Sequence, residues 1–344
     1  MKYFECDYME GAHPLIMEKM METNMEHTSG YGSDPYTISA KDKIRKECGC
    51  PNAQVHFLVG GTQTNAIMIK TLLRPYEGVF AVETGHVNVH EAGAIEAGGH
   101  KVITLPGEDG KMTAASVKEY MERWTRDDTN IHMVKPGMIY ISHPTELGTL
   151  YTKKELQELR DVCTKYHILM YMDGARMGYG LMADDTDVTL KDIAALCDAF
   201  YIGGTKVGAL FGEAVVIPNP DLVHGMFPII KQEGALLAKG RLLGIQFDTL
   251  FTDGLYFKIA KHALDMAKKL KEGLKERGYR FYYESPTNQQ YIILKNEELD
   301  NFGKKVAYSF WEEVNENETA IRLVTSWATK EEDVEEFLLS LDEK

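Results

Sequence analysis

The sequence has neither a surplus of basic residues nor a long apolar run. Lysine and arginine number 38 against 52 aspartates and glutamates, so the formal net charge is -14 at pH 7. A chain this acidic repels phosphate backbones and anionic lipids, and we expect neither a nucleic-acid nor a membrane partner. No stretch reaches the roughly 18 apolar residues that a membrane-spanning helix needs. The first residues carry acids early, which is not the pattern of a secretory signal.

Cysteine is scarce as well, and no CxxC pair occurs. The five cysteines are Cys6, Cys48, Cys50, Cys163 and Cys197. Reduced thiols in a cytoplasmic protein are the simplest interpretation of an odd number without paired spacing. Residues 48–50 (CGC) offer at most half of a metal site, and no second half is apparent, so we predict no metal.

Between about residues 53 and 217, short apolar runs alternate with amphipathic stretches. The runs predict strands at residues 55–59, 79–82, 101–105, 137–142, 167–172, 198–202 and 214–217. Strands that alternate with helices predict an α/β protein with a mostly parallel sheet covered on both faces. After about residue 220 the pattern becomes typical of a small α+β domain. We therefore predict a large domain over residues 1–250 and a small one over residues 251–344.

Several segments outside the alternating region have their own predictions. We expect residues 1–50 to be irregular, with a clear loop at residues 30–35 (GYGSDP). Residues 227–251 are predicted to be helical. Residues 256–277 predict an amphipathic helix that ends at Gly278. A further helix is predicted around residues 304–314.

The residues that follow each strand are the first candidates for chemistry, because ligands of open α/β sheets bind beyond the carboxyl ends of the strands. Residues 60–65 (GGTQTN) follow one strand and open a helix. Glycines and helix N-terminal amides there favour a phosphate, with Thr62 and Thr64 as hydroxyl donors. A tight turn with a threonine cap is the alternative. The segment has neither the dinucleotide-binding glycine pattern nor a Walker A sequence, which counts against a nicotinamide dehydrogenase.

Four further positions combine a reactive side chain with a place at a strand end or on a strand. His86 can stack on a flat cofactor or move a proton, although a lone histidine is often structural. Asp173 ends an apolar strand, so its carboxylate needs a partner, either Arg176 or a protonated pyridine nitrogen. Lys206, in a glycine turn, fits a Schiff-base lysine with a pKa lowered by burial, or an exposed loop lysine. Arg322, between apolar neighbours, needs a carboxylate from a substrate or from a structural salt bridge.

Taken in order, these motifs resemble the threonine aldolase family, within the β-eliminating lyase group of fold-type I pyridoxal-phosphate enzymes. The resemblance runs from about residue 7 to about residue 329. The matching segments are residues 30–35, 60–65, 83–86 (ETGH), 143 with 148–151 (GTLY), 173–176 (DGAR), 203–206 (GGTK) and 321–325 (IRLVT). The DGAR and GGTK segments are the most specific. Residues 212–216 (GEAVV) are similar to the low-specificity branch.

The resemblance implies a fold-type I architecture, with a mostly parallel seven-stranded sheet in the large domain and a small C-terminal α+β domain. It also implies pyridoxal 5′-phosphate, carried by Lys206 as a Schiff base, with Asp173 keeping the pyridine nitrogen protonated. The other implied cofactor contacts are Gly61, Thr62, Thr64, His86, Arg176 and, from a neighbouring subunit, Lys239.

For the reaction, the resemblance implies cleavage of L-threonine, L-allo-threonine or related β-hydroxy-α-amino acids to glycine and an aldehyde. The implied substrate contacts are Arg176 and Arg322 at the carboxylate, with Asp7 and Tyr31. His143 is expected near the β-hydroxyl, and either it or His86 acts as the base. Residues 6–8 (CDY) replace the usual Ser-Asp-Thr of the family, which leaves the preferred amino acid open.

The resemblance also implies an active site completed by a second subunit, in a homodimer or homotetramer. Residues 30–35 and the segment around residues 231–241 are the candidate interface pieces. Two other functions stay open. One is β-elimination on another amino acid by the same cofactor, and the other is ligand binding without catalysis.

Overall fold

A seven-stranded sheet lies at the centre of the computed structural model, which describes residues 1–342. Along the chain the strands are β1 (Lys2–Tyr3), β2 (Gln54–Leu58), β3 (Glu77–Val82), β4 (Val102–Leu105), β5 (Lys135–Ser142), β6 (Leu169–Asp173), β7 (Ala199–Gly203), β8 (Glu213–Ile217), β9 (Arg280–Tyr283), β10 (Gln289–Lys295), β11 (Val306–Ala307), β12 (Ser309–Asn315) and β13 (Glu318–Val324). The central order is β2-β8-β7-β6-β5-β3-β4. Within the described chain, every strand of this sheet except β8 runs in the same direction. The predicted mostly parallel sheet is confirmed.

Helices cover both faces of this sheet, as expected when parallel strands alternate with helices. Along the chain they are α1 (Pro14–Thr23), α2 (Pro35–Cys48), α3 (Gly61–Leu72), α4 (His86–Val89), α5 (Ala94–Ala97), α6 (Ala114–Arg126), α7 (Lys153–Tyr166), α8 (Met177–Met182), α9 (Leu190–Leu196), α10 (Met226–Gln232), α11 (Arg241–Leu250), α12 (Leu255–Glu276), α13 (Leu299–Lys305) and α14 (Glu331–Asp342). Side chains alternate along each strand, so β5 contributes to two cores. Ile139 and Ile141 belong to one, and Met138 and Tyr140 to the other.

A smaller antiparallel sheet, in the order β12-β13-β10-β9, forms the C-terminal part of the fold. Its core contains Ile292, Ile321 and Phe337, and Phe4 from the start of the chain packs into it. Strand β1 also pairs in parallel with β11. The first residues therefore pack with the C-terminal sheet, while the domain boundary near residue 250 stays a prediction.

The expectation of an irregular stretch over residues 1–50 is wrong, because α1 and α2 lie there. Asp34 caps α2: its carboxylate accepts a hydrogen bond from the backbone N–H of Thr37 at 2.8 Å. Pro35 stands in the first turn, and Gly49 ends the helix with φ at 66°. These are ordinary start and stop residues of a helix. Because these three residues can be read in the sequence, helix α2 could have been predicted from it.

Two expectations after residue 220 are wrong too. Residues 227–251 form two helices, α10 and α11, rather than one. They are separated by a loop that includes Gly240, where an added Cβ would stand 2.5 Å from the backbone nitrogen of Gly32. The helix expected over residues 304–314 is largely strand β12, because this segment pairs with β13. Tertiary pairing overrides local preference in short segments of this kind.

The turn after β6 is tightly packed against β7 at Gly174. A Cβ added to Gly174 would stand 1.9 Å from the carbonyl oxygen of Tyr201, which is backbone and cannot rotate away. We expect Gly174→Ala to lower the free energy of unfolding by about 2–4 kcal/mol. The matched control is Gly303→Ala in α13, where the nearest atom would be 3.6 Å away. The control should be stabilised by about 0.5–1 kcal/mol through helix propensity. Denaturant unfolding measures both, and equal midpoints for Gly174→Ala and the parent chain would contradict the packing argument.

Candidate active site

A cavity of about 210 Å³ opens at the edge of the central sheet where the parallel strands end. Several predicted site residues line it together: Gly61, Thr62, His86, Asp173, Arg176 and Lys206. They come from the ends of β2, β3, β6 and β7, which the shared strand direction brings to one side of the sheet. This is the position at which open α/β sheets bind ligands.

Asp173 lies at the bottom of this cavity and is almost fully buried, with 5% of its surface exposed. Its carboxylate accepts hydrogen bonds from the hydroxyls of Tyr201 (2.5 Å) and Tyr140 (2.6 Å), the side-chain amide of Asn65 (3.0 Å) and the backbone N–H of Ala175 (2.9 Å). Burial alone would raise the pKa of Asp173, but the tyrosine hydroxyls and the charge of His86 hold that pKa below its usual range. Arg176 does not pair with Asp173, so that alternative is wrong.

Lys206 follows β7 and lines the cavity, so the alternative of an exposed loop lysine is wrong. Its ammonium group makes no hydrogen bond or ion pair within residues 1–342. Burial lowers the pKa of Lys206, and the positive charge of Arg176 lowers it further. Both effects favour the neutral amine, which is the form that acts as a nucleophile.

Arg176 is held by an ion pair with Asp7 that joins distant parts of the chain. Nε of Arg176 donates to Oδ2 of Asp7 at 2.7 Å, and one terminal nitrogen donates to Oδ1 at 2.9 Å. The side chain of Asn288 donates to the same carboxylate at 2.9 Å. Burial opposes ionisation of the pair, but the mutual attraction keeps the pKa of Asp7 low and that of Arg176 high. The carboxyl oxygens of Asp7 are thus occupied, and they orient the guanidinium at the cavity wall.

The turn before α3 presents free backbone N–H groups to the cavity. Gly60 precedes the helix, and no side chain caps its first turn. An added Cβ on Gly61 would stand 3.1 Å from the hydroxyl of Tyr201, so a glycine suits this position. Uncapped amides at a helix N-terminus form an anion site. Thr62 lines the cavity. Thr64 is not part of the lining, because its buried hydroxyl donates to the carbonyl of Gly60 at 2.9 Å.

Arg322 lies outside the cavity lining, and its guanidinium has no carboxylate partner within residues 1–342. One terminal nitrogen donates to the side chain of Gln289 at 3.2 Å, and the group stands 5.7 Å from the centre of the Trp311 ring. The buried Nε has no partner among the described residues. The alternative of a structural salt bridge for Arg322 is therefore wrong.

His143, Tyr31 and Lys239 are not among the cavity residues of this chain. His143 is fully buried, and burial lowers its pKa to about 4. Its Nε2 has no partner within the described residues. Tyr31 and Lys239 are exposed, and the backbone N–H of Tyr31 donates to the carbonyl of Ala238, the residue before Lys239, at 3.1 Å.

Three glutamates that line the cavity were missed from the sequence: Glu91 and Glu213, which are buried, and Glu146, which is partly buried. Glu146 follows β5 and accepts hydrogen bonds from the hydroxyl of Ser142 at 2.6 Å and from the backbone N–H of His86 at 3.0 Å. Burial raises the pKa of Glu146. Its place after a strand was a usable signal in the sequence.

Glu213 was missed for a topological reason. It is the first residue of β8, which runs against its neighbours, so its backbone pairs with Gly203 and Leu58 at their carboxyl ends. Glu213 begins a strand instead of following one, so the expectation that site residues follow strands did not include it. The hydroxyl of Thr205 donates to Oε1 of Glu213 at 2.9 Å, and Oε2 has no partner within residues 1–342. Burial raises the pKa of Glu213 to about 8.

Within residues 1–342, no group of three or more histidine, cysteine, aspartate or glutamate side chains has the arrangement of a metal site. Cys48 is buried, Cys50 is partly exposed, and both are free thiols. In the same part of the chain, no helix combines the length and apolar character needed to cross a bilayer.

Comparison with known proteins gives similarity over nearly the whole chain. A family model described as beta-eliminating lyase matches residues 4–298. Low-specificity L-threonine aldolases of Pseudomonas sp. (strain NCIMB 10558) and Pseudomonas aeruginosa are each 30% identical over 342 residues, covering 97% of this chain and 95% of those proteins. A threonine aldolase structure from Leishmania major superposes with a TM-score of 0.96 at 42% identity, covering 99% of both chains. An aspartate aminotransferase of Thermus thermophilus superposes with a TM-score of 0.70 at 15% identity, covering 98% of this chain and 90% of that one, which shows the fold alone.

The raised pKa of Glu213 predicts a pH effect on stability. Between its ordinary value of 4.5 and about 8, the folded chain keeps the proton and the unfolded chain loses it. The unfolding free energy therefore falls as pH rises through this window. Glu213→Gln should remove this contribution and stabilise the chain at pH 8, relative to pH 5, by on the order of 2–4 kcal/mol. Denaturant unfolding at several pH values measures it. The exposed Glu119→Gln serves as control, and a pH slope unchanged by Glu213→Gln would refute the prediction.

Proposed function

The chain belongs to the beta-eliminating lyase family, and from this premise we propose that it is a pyridoxal-phosphate-dependent threonine aldolase. The reaction is cleavage of L-threonine, L-allo-threonine or a related β-hydroxy-α-amino acid to glycine and an aldehyde. One observation carries the proposal: a single cavity combines three features. They are Lys206, whose pKa is lowered, the buried and ionised Asp173, and the uncapped N-terminus of α3. The sequence-based resemblance to the threonine aldolase family is confirmed.

The lining of the cavity fits pyridoxal 5′-phosphate. Lys206 supplies the amine that would hold the cofactor covalently, and the N–H groups of Gly61 and Thr62 suit its phosphate. Asp173, ionised and held by four donors, suits a protonated pyridine nitrogen. His86 lines the same cavity and would lie against one face of the ring. When bound, pyridoxal phosphate supplies an electron sink for negative charge at the carbon next to the amino group.

We assign the substrate carboxylate to Arg176 and Arg322. Asp7 holds the guanidinium of Arg176 in a fixed plane at the cavity wall. Arg322 lacks a carboxylate partner within residues 1–342, so its guanidinium is available for one. Two guanidinium groups can fix the orientation of a carboxylate, and they thereby decide which bond at the α-carbon is aligned for cleavage. Asp7 acts through Arg176 in this proposal rather than by touching the substrate.

Of the two histidines, we assign His86 as the group that accepts the proton of the β-hydroxyl. His86 lines the cavity, whereas His143 is fully buried and is not part of the lining. Burial lowers the pKa of His143 to about 4, which makes it a weak base at neutral pH. The backbone N–H of His86 donates to the carboxyl group of Glu146, and both residues line the cavity.

We further propose a homo-oligomer, dimer or tetramer, in the cytoplasm. Tyr31 and Lys239 belong to one exposed surface, and the amine of Lys231 stands 4.7 Å from the centre of the Tyr31 ring. Neither residue lines this chain's cavity, so the surface suits a role at the cavity of a second copy, with Lys239 near the phosphate and Tyr31 near the substrate. The five free cysteines support a reducing compartment.

Incubation of the purified protein with L-threonine, L-allo-threonine and phenylserine tests the function. Glycine and the matching aldehyde should appear in equal amounts. Lys206→Ala should lower turnover by more than about 10⁴-fold, because no other cavity amine can replace it. It should also remove the visible absorbance band that depends on the covalent link between the cofactor and Lys206. Ammonia and a keto acid in place of glycine would indicate β-elimination, and normal turnover by Lys206→Ala would refute the assignment.

The role of Arg322 predicts a change in substrate binding. Arg322→Lys keeps the charge but loses the two-pronged geometry, so KM for L-threonine should rise about 10- to 100-fold. The visible absorbance of the cofactor should be unchanged. Arg280→Lys is the control, since Arg280 lies in the same small sheet and pairs with Glu318 at the surface. A large loss of cofactor in Arg322→Lys with an unchanged KM would contradict the assignment.

A further inference from the structure

Glu91 lies beneath His86 in the segment between α4 and α5, and its side chain has no exposed surface. Oε1 of Glu91 lies 2.8 Å from Nδ1 of His86. A carboxylate can only accept hydrogen bonds, so the imidazole nitrogen that faces it must carry a proton. The contact thus favours one tautomer of His86, with the proton on Nδ1.

Asn65 joins this contact to Asp173. Its side-chain amide donates to Oε1 of Glu91 at 2.7 Å and to Oδ2 of Asp173 at 3.0 Å, and its carbonyl oxygen accepts from the hydroxyl of Tyr171 at 3.0 Å. Both donors of this buried amide and its carbonyl oxygen are engaged in these contacts. A side chain held at both ends cannot rotate, so the position of Glu91 is tied to that of Asp173.

The other nitrogen of His86, Nε2, makes no hydrogen bond within residues 1–342. The ring is about one third exposed, and the exposed part lines the cavity. Fixing the proton on Nδ1 leaves a lone pair on Nε2, which is what a proton acceptor in the cavity needs. Carboxylate-oriented histidines act as general bases on this principle.

We propose that Glu91 is a positioning residue for His86: it holds the imidazole proton on Nδ1 and leaves Nε2 as the acceptor on the cavity side. Through Asn65, the same network fixes the distance between this base and the carboxylate of Asp173. The proposal rests on the proposed function for the identity of the substrate proton. The tautomer itself is a property of the chain alone.

The charges around His86 come from several elements. Asp173 ends β6, Lys206 follows β7, His90 follows α4, and Glu146 follows β5. Burial lowers the pKa of His86, but the hydrogen bond to Glu91 and the charges of Asp173 and Glu91 together raise it above its ordinary value. Loss of the negative charge at Glu91 alone should therefore lower that pKa.

Nuclear magnetic resonance of the full chain with ¹⁵N-labelled histidine tests the proposal without any turnover. The spectra are recorded with and without pyridoxal phosphate, and His86→Gln assigns the signal. In the parent chain, neutral His86 should carry its proton on Nδ1. Glu91→Gln should lower the pKa of His86 by about one unit or more. Glu91→Leu, which removes the acceptor, should release the tautomer preference.

Kinetics adds a second readout. In Glu91→Gln, kcat for threonine cleavage should fall about 10- to 100-fold with little change in KM, because the lower pKa makes His86 a weaker base while the carboxylate contacts are intact. The acidic limb of kcat/KM against pH should move to lower pH. Glu96→Gln, an exposed glutamate on α5 with the same change of charge, is the control and should leave all these values unchanged.

The outcomes separate the two proposals. A proton on Nε2 of neutral His86 in the parent chain, or a pKa of His86 equal in Glu91→Gln and the parent chain, would overturn the role of Glu91 even if glycine is formed. If the parent chain forms no glycine from any of the three amino acids, the proposed function fails, while the tautomer measurement still decides whether Glu91 positions His86.

Discussion

A carboxylate buried at the end of β6 is the constraint on which the rest of the site depends. Asp173 cannot stay ionised there without donors, since an unpaired buried charge is costly. Its donors come from β5, β7, α3 and the turn that follows β6: Tyr140, Tyr201, Asn65 and Ala175. Each donor requires its own element to lie in register with β6. The same registers set the turn before α3 and the turn after β7, so the anion site and Lys206 are brought to the same cavity as this carboxylate.

The cavity and its immediate surroundings contain more acidic than basic side chains, and burial decides which of the acids are ionised. Donors and cations keep the pKa of Asp173 and Asp7 low. Glu146 and Glu213 have fewer such partners, and burial raises the pKa of both. A protonated Glu213 beside Lys206 limits the attraction that would otherwise keep that lysine charged. The site therefore keeps Asp173 ionised, where a proton must be held on the cofactor. It keeps Glu213 protonated near Lys206, whose amine must be neutral to react.

The antiparallel strand β8 explains why some site residues were predictable from the sequence and Glu213 was not. Residues after parallel strands meet at one edge, so Asp173, Lys206 and the turn at residues 60–65 were predictable from position alone. Glu213 opens an antiparallel strand and reaches the same edge from the other direction. Strand direction depends on how β8 pairs with β2 and β7, which no local pattern encodes. Residues 304–314 were mispredicted for a related reason, since β12 forms by pairing with β13. Helix α2 within residues 1–50 was missed although its cap residues stand in the sequence.

By itself, the sequence determined the strand positions of the central sheet and the order of the motifs along it. Apolar periodicity and turn residues act over a few neighbours and can be read locally. Only the tertiary structure decided the partners of the charged groups. Arg176 meets Asp7 across 169 residues, and Asn65 meets Asp173 across 108. Arg322 has no carboxylate partner within the described residues although a salt bridge was an equal alternative. Charge pairing follows from distances between atoms that only the folded chain brings together, and so the roles of these side chains follow from the fold.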